Sequence, residues 1–179
     1  MPKSLIDSHM HFSSHDRLGE LQHYCRQLGA GKICVLSLPL KQRINFNPEV
    51  LYAKANLGPT CYGLASFDYG PLLFGAGAGG RGTLDLAGQV EKFRELGFDG
   101  LKIFLGKPSF QSQLGLRLDD PRVIGAFKRA QSLDMPVLIH IADPLIFWSY
   151  RSVPGFIPPG WEHAVAEGGG GIPDYEDLQ

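Results

Sequence analysis

The sequence is poor in cysteine. Cys25, Cys34 and Cys61 are odd in number and show no CxxC spacing, which argues against a disulfide framework and for a reducing compartment, with the cytoplasm as the default expectation. An excess of charge of either sign is also missing. With 17 Lys and Arg against 18 Asp and Glu, the formal net charge is -1, so nothing electrostatic draws the chain to polyanions, and neither nucleic acid nor a polybasic membrane contact is expected. Long hydrophobic runs are absent too. Met1 to Asp7 contain no apolar stretch of signal-peptide length, and nowhere do about 18 apolar residues follow one another, so neither export by that route nor a membrane span is expected. What is present is a chain of 179 residues, 44% hydrophobic and 20% charged, enough for one cored domain. Its 23 glycines cluster at Gly75 to Gly82 and Gly168 to Gly171, and such clusters mark loops.

Short apolar runs alternate with amphipathic ones. Leu5 to Phe12 reads as a strand, followed by a helix over Asp16 to Leu28 whose Leu18, Leu21, Cys25 and Leu28 share a face. Asp16 is placed to cap that helix and Gly29 to end it. Lys32 to Leu38 reads as the second strand, and Asn47-Pro48 as a cap and first-turn proline opening a helix to Leu57. Cys61 to Phe67 and Leu101 to Leu105 read as strands three and four, with Leu86, Val90, Phe93 and Leu96 marking the helix between them. Asp120-Pro121 opens a further helix, closed before Met135-Pro136, and Val137 to Ala142 is the fifth strand. The alternation predicts an α/β fold with a parallel sheet covered on both faces. Residues 1–143 are expected to hold five strand–helix units. Residues 144–179, with five prolines and four consecutive glycines, are expected to form a long loop and the acidic first turn of a helix at Asp174 to Leu178, on the way to a sixth strand.

Three polar oddities interrupt this apolar pattern. Asp7, His9 and His11 alternate in the first strand and so are predicted to share one face, with successive Cα atoms roughly 6 to 7 Å apart. Two imidazoles so placed can converge on one cation; they can also be solvated residues where a strand frays. His140 stands in the apolar fifth strand, either as a satisfied core histidine or as a further ligand. If the sheet curls as a barrel, the C-terminal ends of strands one and five share one mouth. Lys102 is embedded in the fourth strand. Its ammonium could snorkel to solvent, grip an anionic substrate, or take up carbon dioxide and become a carboxylate ligand. Asp143 could orient a ligand or simply form a turn before Pro144. Gly75 to Gly82, with Arg81, lack the lysine and hydroxyl of a P-loop and read as a flexible loop. His15, His23 and His163 read as surface residues.

Asp7-Ser8-His9-Met10-His11, Gly100-Leu101-Lys102-Ile103-Phe104 and Val137-Leu138-Ile139-His140-Ile141-Ala142-Asp143-Pro144 together resemble the amidohydrolase superfamily. The nearest branch is the amidohydrolase-related group that includes aminocarboxymuconate semialdehyde decarboxylase. The resemblance implies a TIM-type (β/α)8 barrel with a divalent metal, usually zinc, at its C-terminal mouth. It implies His9, His11 and His140 as metal ligands, and it places Lys102 where some branches carry a carboxylated lysine, making it the catalytic candidate. It further implies a metal-dependent hydrolase acting on a C–N or C–O bond, or a non-oxidative decarboxylase. Relatives add a histidine from a sixth strand and an aspartate after an eighth, neither of which this sequence supplies. A barrel of this type takes about 250 residues, so the expectation is a partial barrel, an N-terminal portion that is inactive alone or is completed by a missing C-terminal part or a second polypeptide. An unfinished barrel favours self-association. A third expectation is an unrelated doubly wound α/β binding protein in which the histidines are incidental. Lys107, Arg117 and Arg81 lie in predicted loops and suit a small carboxylated substrate, with Phe147 and Trp148 as candidate pocket walls.

Overall fold

The computed structural model describes residues 5–39, 45–73 and 84–141. The glycine cluster with Arg81, then Asp143, Phe147, Trp148 and the whole 144–179 segment, lie outside the described residues. The described chain falls into two compact units, one of residues 5–103 and 121–138, the other of residues 104–120 and 139–141.

Five strands form one parallel sheet: β1 (Leu5–His11), β2 (Ala30–Leu36), β3 (Cys61–Ala65), β4 (Gly100–Ile103) and β5 (Val137–Ile139), in the spatial order β1-β2-β3-β4-β5. Each crossover moves one place in the same direction. A doubly wound sheet reverses its strand order at a switch point, and no reversal occurs among the described strands. The α/β class therefore stands, and the doubly wound alternative does not match the order. The strand expected over 137–142 ends at Ile139, so His140 follows the strand rather than sitting inside it.

The helices of the first unit are α1 (Leu18–Leu28), α2 (Asn47–Leu57), α3 (Gly70–Leu73), α4 (Leu86–Glu95) and, after α5 (Pro108–Leu114) of the second unit, α6 (Pro121–Ser132). A 3-10 turn, His15–Arg17, precedes α1, so Asp16 is inside that turn and caps nothing by its side chain. Gly29 does end α1, at φ 62, a left-handed conformation that glycine adopts without a Cβ penalty. Asn47 opens α2 as predicted but does not cap it. Its amide bridges to β3 instead, Nδ2 donating to the Ser66 carbonyl at 2.9 Å and Oδ1 accepting from the Ser66 amide at 2.9 Å. Asp85 is a true cap of α4, accepting from the Gly88 amide at 2.8 Å.

Strand register assigns the two faces of the sheet. A Cβ on Gly63 would meet Val50 of α2 at 3.0 Å, so Gly63 faces the helices. Ile33 and Val35 pair with Cys61 and Gly63 and share that face, while Cys34, Leu36, Tyr62 and Leu64 take the other. Val35, Val50, Ala65, Val90 and Leu101 are fully buried between sheet and helices. In β4, Gly100 pairs with Leu64 and Leu101 with Ala65. Lys102, two residues after Gly100, accordingly lies on the face opposite the helices.

Candidate metal centre on the first strand

Strict alternation fails in β1. Asp7 pairs with Ile33 and Met10 with Val35, so three steps on β1 match two on β2 and the strand carries a bulge between them. The bulge overturns the expectation that Asp7, His9 and His11 share one face. Asp7 lies with Ile33 on the helix side, whereas His11 pairs with Leu36 on the opposite side. The cause is local. Asp7 Oδ1 accepts the His9 backbone N–H at 3.0 Å, which takes that amide out of the ladder. Asp7 Oδ2 accepts from the Tyr24 hydroxyl of α1 at 3.0 Å. This hydrogen bond, with burial and the carboxylate charge adding to it, holds the Tyr24 phenol above its ordinary value.

The two imidazoles meet. Their rings lie 5.0 Å apart between centroids at an interplanar angle of 82°, with His9 Nε2 and His11 Nε2 hydrogen-bonded to each other at 3.2 Å. Two nitrogens bound to one tetrahedral zinc would stand about 3.3 Å apart, given bonds of about 2.0 to 2.1 Å. His11 Nδ1 lies 3.2 Å from the Leu36 carbonyl oxygen, which can only accept, so Nδ1 is the donor there and in the neutral ring Nε2 is the nitrogen left with a lone pair. Such a carbonyl bond behind a ligating imidazole is the usual way its tautomer is fixed. Both histidines are exposed, so the pair is open to solvent. Among the described residues, no group of three or more His, Cys, Asp or Glu side chains is arranged to hold a metal ion.

Lys102 is 1% exposed, within a strand whose four residues are all buried. The snorkelling alternative fails on that burial. Desolvation pushes the Lys102 ammonium below its ordinary value. By register it shares the sheet face of Leu64, Leu36 and His11. His140, in the second unit, is half-buried and stacks on Phe104 with centroids 5.7 Å apart and planes 19° from parallel.

The remaining sequence candidates are less engaged with chemistry. Arg117 is held by Asp119, Nε to Oδ1 at 3.0 Å, and Lys107 leads directly into α5, a helix with no clear sequence signal. His15 stacks obliquely on Tyr52 with centroids 4.3 Å apart, consistent with its reading as a surface residue. Burial pushes the Cys61 thiol up to about 12, so it stays protonated and is a poor nucleophile. A cleft of about 370 Å³ lies between the end of β1 and α1, lined by His11, Phe12, Arg17, Glu20, Leu21 and Tyr24 among others. Tyr24 and the Leu36 carbonyl are site groups the sequence did not announce, because both depend on which residue the bulge places opposite which.

No family model matches the sequence, and no curated protein matches it. Among solved structures, the chain is similar to the apo crystal structure of the Agrobacterium tumefaciens protein ATU3138, at 14% identity and a TM-score of 0.50, over 78% of this chain and 48% of that one. This chain thus spans about half the length of that neighbour. At this identity the likeness is one of fold, and the α/β architecture is what the two chains share.

Proposed function

We propose that this chain carries part of the metal centre of a metal-dependent hydrolase of the amidohydrolase kind, built on a TIM-type (β/α)8 barrel. The observation that carries the reading is the 3.2 Å separation of the His9 and His11 Nε2 atoms. Imidazole nitrogens at that spacing suit a divalent cation of borderline softness, zinc first. When bound, the cation would lower the pKa of a water toward about 7 and polarise a substrate carbonyl. His9 and His11 supply the lone pairs, and the Leu36 carbonyl keeps His11 in the competent tautomer. His140 enters as the third ligand from the sequence resemblance. Lys102, on the same sheet face as His11, is the residue suited to holding a substrate carboxylate or handling a proton. Its lowered pKa favours the second role, since desolvation eases loss of the proton.

The reaction class is hydrolysis of a C–N or C–O bond in a small, carboxylated substrate, with non-oxidative decarboxylation as the runner-up. A second reading is favoured by the edges of the sheet. Among the described strands β1 and β5 each have a neighbour on one side only, and in this reading full activity needs further strands from the same or a second polypeptide. Metal analysis of the purified protein tests the proposal: about one zinc per chain is expected, lost in His9→Ala and His11→Ala and weakened in His140→Ala. A wild-type protein without zinc, or variants that keep it, would sink the reading.

A further inference from the structure

We infer that the Ser66 hydroxyl is a substrate-binding group, donating a hydrogen bond to the same carboxylate that Lys102 attracts, so that side chains from two neighbouring strands form one anion-holding pair. The inference rests on the reading above in which the substrate is carboxylated. It adds a residue that lies outside every sequence motif.

Ser66 is 1% exposed, and its Oγ finds no hydrogen-bond partner among the described residues. A buried hydroxyl left in that state costs free energy, and such groups are rare in folded chains unless water or a ligand supplies the partner. The Ser66 backbone, by contrast, is fully engaged. One side-chain amide, that of Asn47, takes both the Ser66 N–H and the Ser66 carbonyl, each at 2.9 Å. A neighbouring strand does the same for an extended residue, so the alternation of β3 carries one step past Ala65. Ser66 then faces with Leu64. A Cβ on Gly100 would stand 3.4 Å from the Leu64 side chain, which puts Gly100 on that face as well. Leu64 pairs with Gly100 and Ala65 with Leu101, and the next step of this register brings Ser66 beside Lys102, itself 1% exposed. Both residues belong to the first unit. On the same face His11, Leu36, Leu64 and Gly100 are successive partners across four strands. Ser66 and Lys102 therefore lie one alternation, roughly 6 to 7 Å, beyond that row toward the C-terminal strand ends, the side on which parallel α/β folds bind their ligands. A carboxylate oxygen is the acceptor that suits this place. It takes the hydrogen bond the hydroxyl has to give and, as an anion, favours the charged form of a lysine that burial disfavours.

The test is a fluorine NMR titration of the purified full chain with para-fluorobenzoate, with para-fluorobenzamide as its neutral counterpart and thermal melts of the unliganded proteins alongside. The wild type is expected to prefer the acid to the amide by about tenfold or more, and Ser66→Ala to bind the acid about tenfold more weakly. Lys102→Met is expected to lose the preference. Relieved of a hydroxyl without a partner, unliganded Ser66→Ala is expected to melt at or above the wild-type temperature. A Ser66→Ala protein that binds the acid as the wild type does overturns the inference. So does one that melts lower or fails to fold, because the hydroxyl then serves the fold and not a ligand. Zinc content of the same samples reports separately on the histidine pair. A wild type that holds zinc without preferring the acid overturns the inference and leaves the metal centre standing. One that lacks zinc yet loses acid binding in Ser66→Ala supports the inference and removes the metal centre.

Discussion

Lys102 is the residue with the sharpest conflict between place and chemistry. An ammonium 1% exposed in an otherwise apolar strand is held below its ordinary value of 10.5 by desolvation. The sign of the linkage follows directly. Between the lowered folded value and 10.5 the unfolded chain binds more protons, so stability rises with pH across that window, and below it the cost of the buried charge is present in full. Lys102→Met should flatten the alkaline rise in stability. Urea melts of both proteins across the alkaline range check this, and parallel profiles would refute it. The oddity of Lys102 was legible in the sequence because a cation interrupts an apolar run. Its burial was not, since snorkelling and burial leave the same letters.

Single interactions that join elements carry more weight than helix caps here. Asn47 bridges α2 to the end of β3 through both functions of its amide, and Ser66 is 1% exposed. Asn47→Ala should cost about 1 to 2 kcal/mol, because the Ser66 N–H loses its acceptor and the Ser66 carbonyl keeps only the longer bond, 3.5 Å, from Asn45 Nδ2. Asn47→Asp should cost at least as much, since an acceptor-only carboxylate faces the Ser66 carbonyl. Chemical denaturation of the two variants decides it, and near-wild-type midpoints would dismiss the bridge. Gly106 plays a different part after β4. A Cβ there would overlap the His140 carbonyl and meet the Ile141 Cα at 2.7 Å, so Gly106→Ala should cost about 1 to 3 kcal/mol and displace His140. Thermal melts together with the NMR shift of the His140 ring test both effects. At this scale the sequence located α1, α4 and α6 because their apolar residues recur at helical spacing, and α2 and α6 because Asn47-Pro48 and Asp120-Pro121 mark their starts. It missed α3 and α5, which are too short to show a period. The bulge in β1 was illegible for another reason. Alternation assumes one residue per pleat, and nothing in Asp7-Ser8-His9 says that a side chain will take the His9 amide from the ladder.

Among the described strands β1 has a neighbour on one side only, and this has a consequence for the whole molecule. Among the described residues, no helix is long and apolar enough to cross a membrane, yet β1 exposes Leu5 at 46% and Ile6 at 62% beside an unpaired edge. Exposed, apolar edges pair with other chains. Ile6→Lys should therefore reduce self-association at high protein concentration, measured by light scattering over a dilution series, with no change in the melting profile. No association in the wild type, or equal association in both proteins, would refute it. The parallel α/β class was legible from alternating apolar strands and amphipathic helices. The direction of winding was not, because the same alternation serves a sheet that reverses and one that does not.

That winding bears on how the polypeptide takes shape as it is made. Since every new strand joins at the flank of the one before, synthesis from the N-terminus delivers the strands in the order of their places, and each meets its neighbour already laid down. Among the described strands none is inserted between two earlier ones, and nascent chains paused on the ribosome should gain protection stepwise, one strand and its helix at a time.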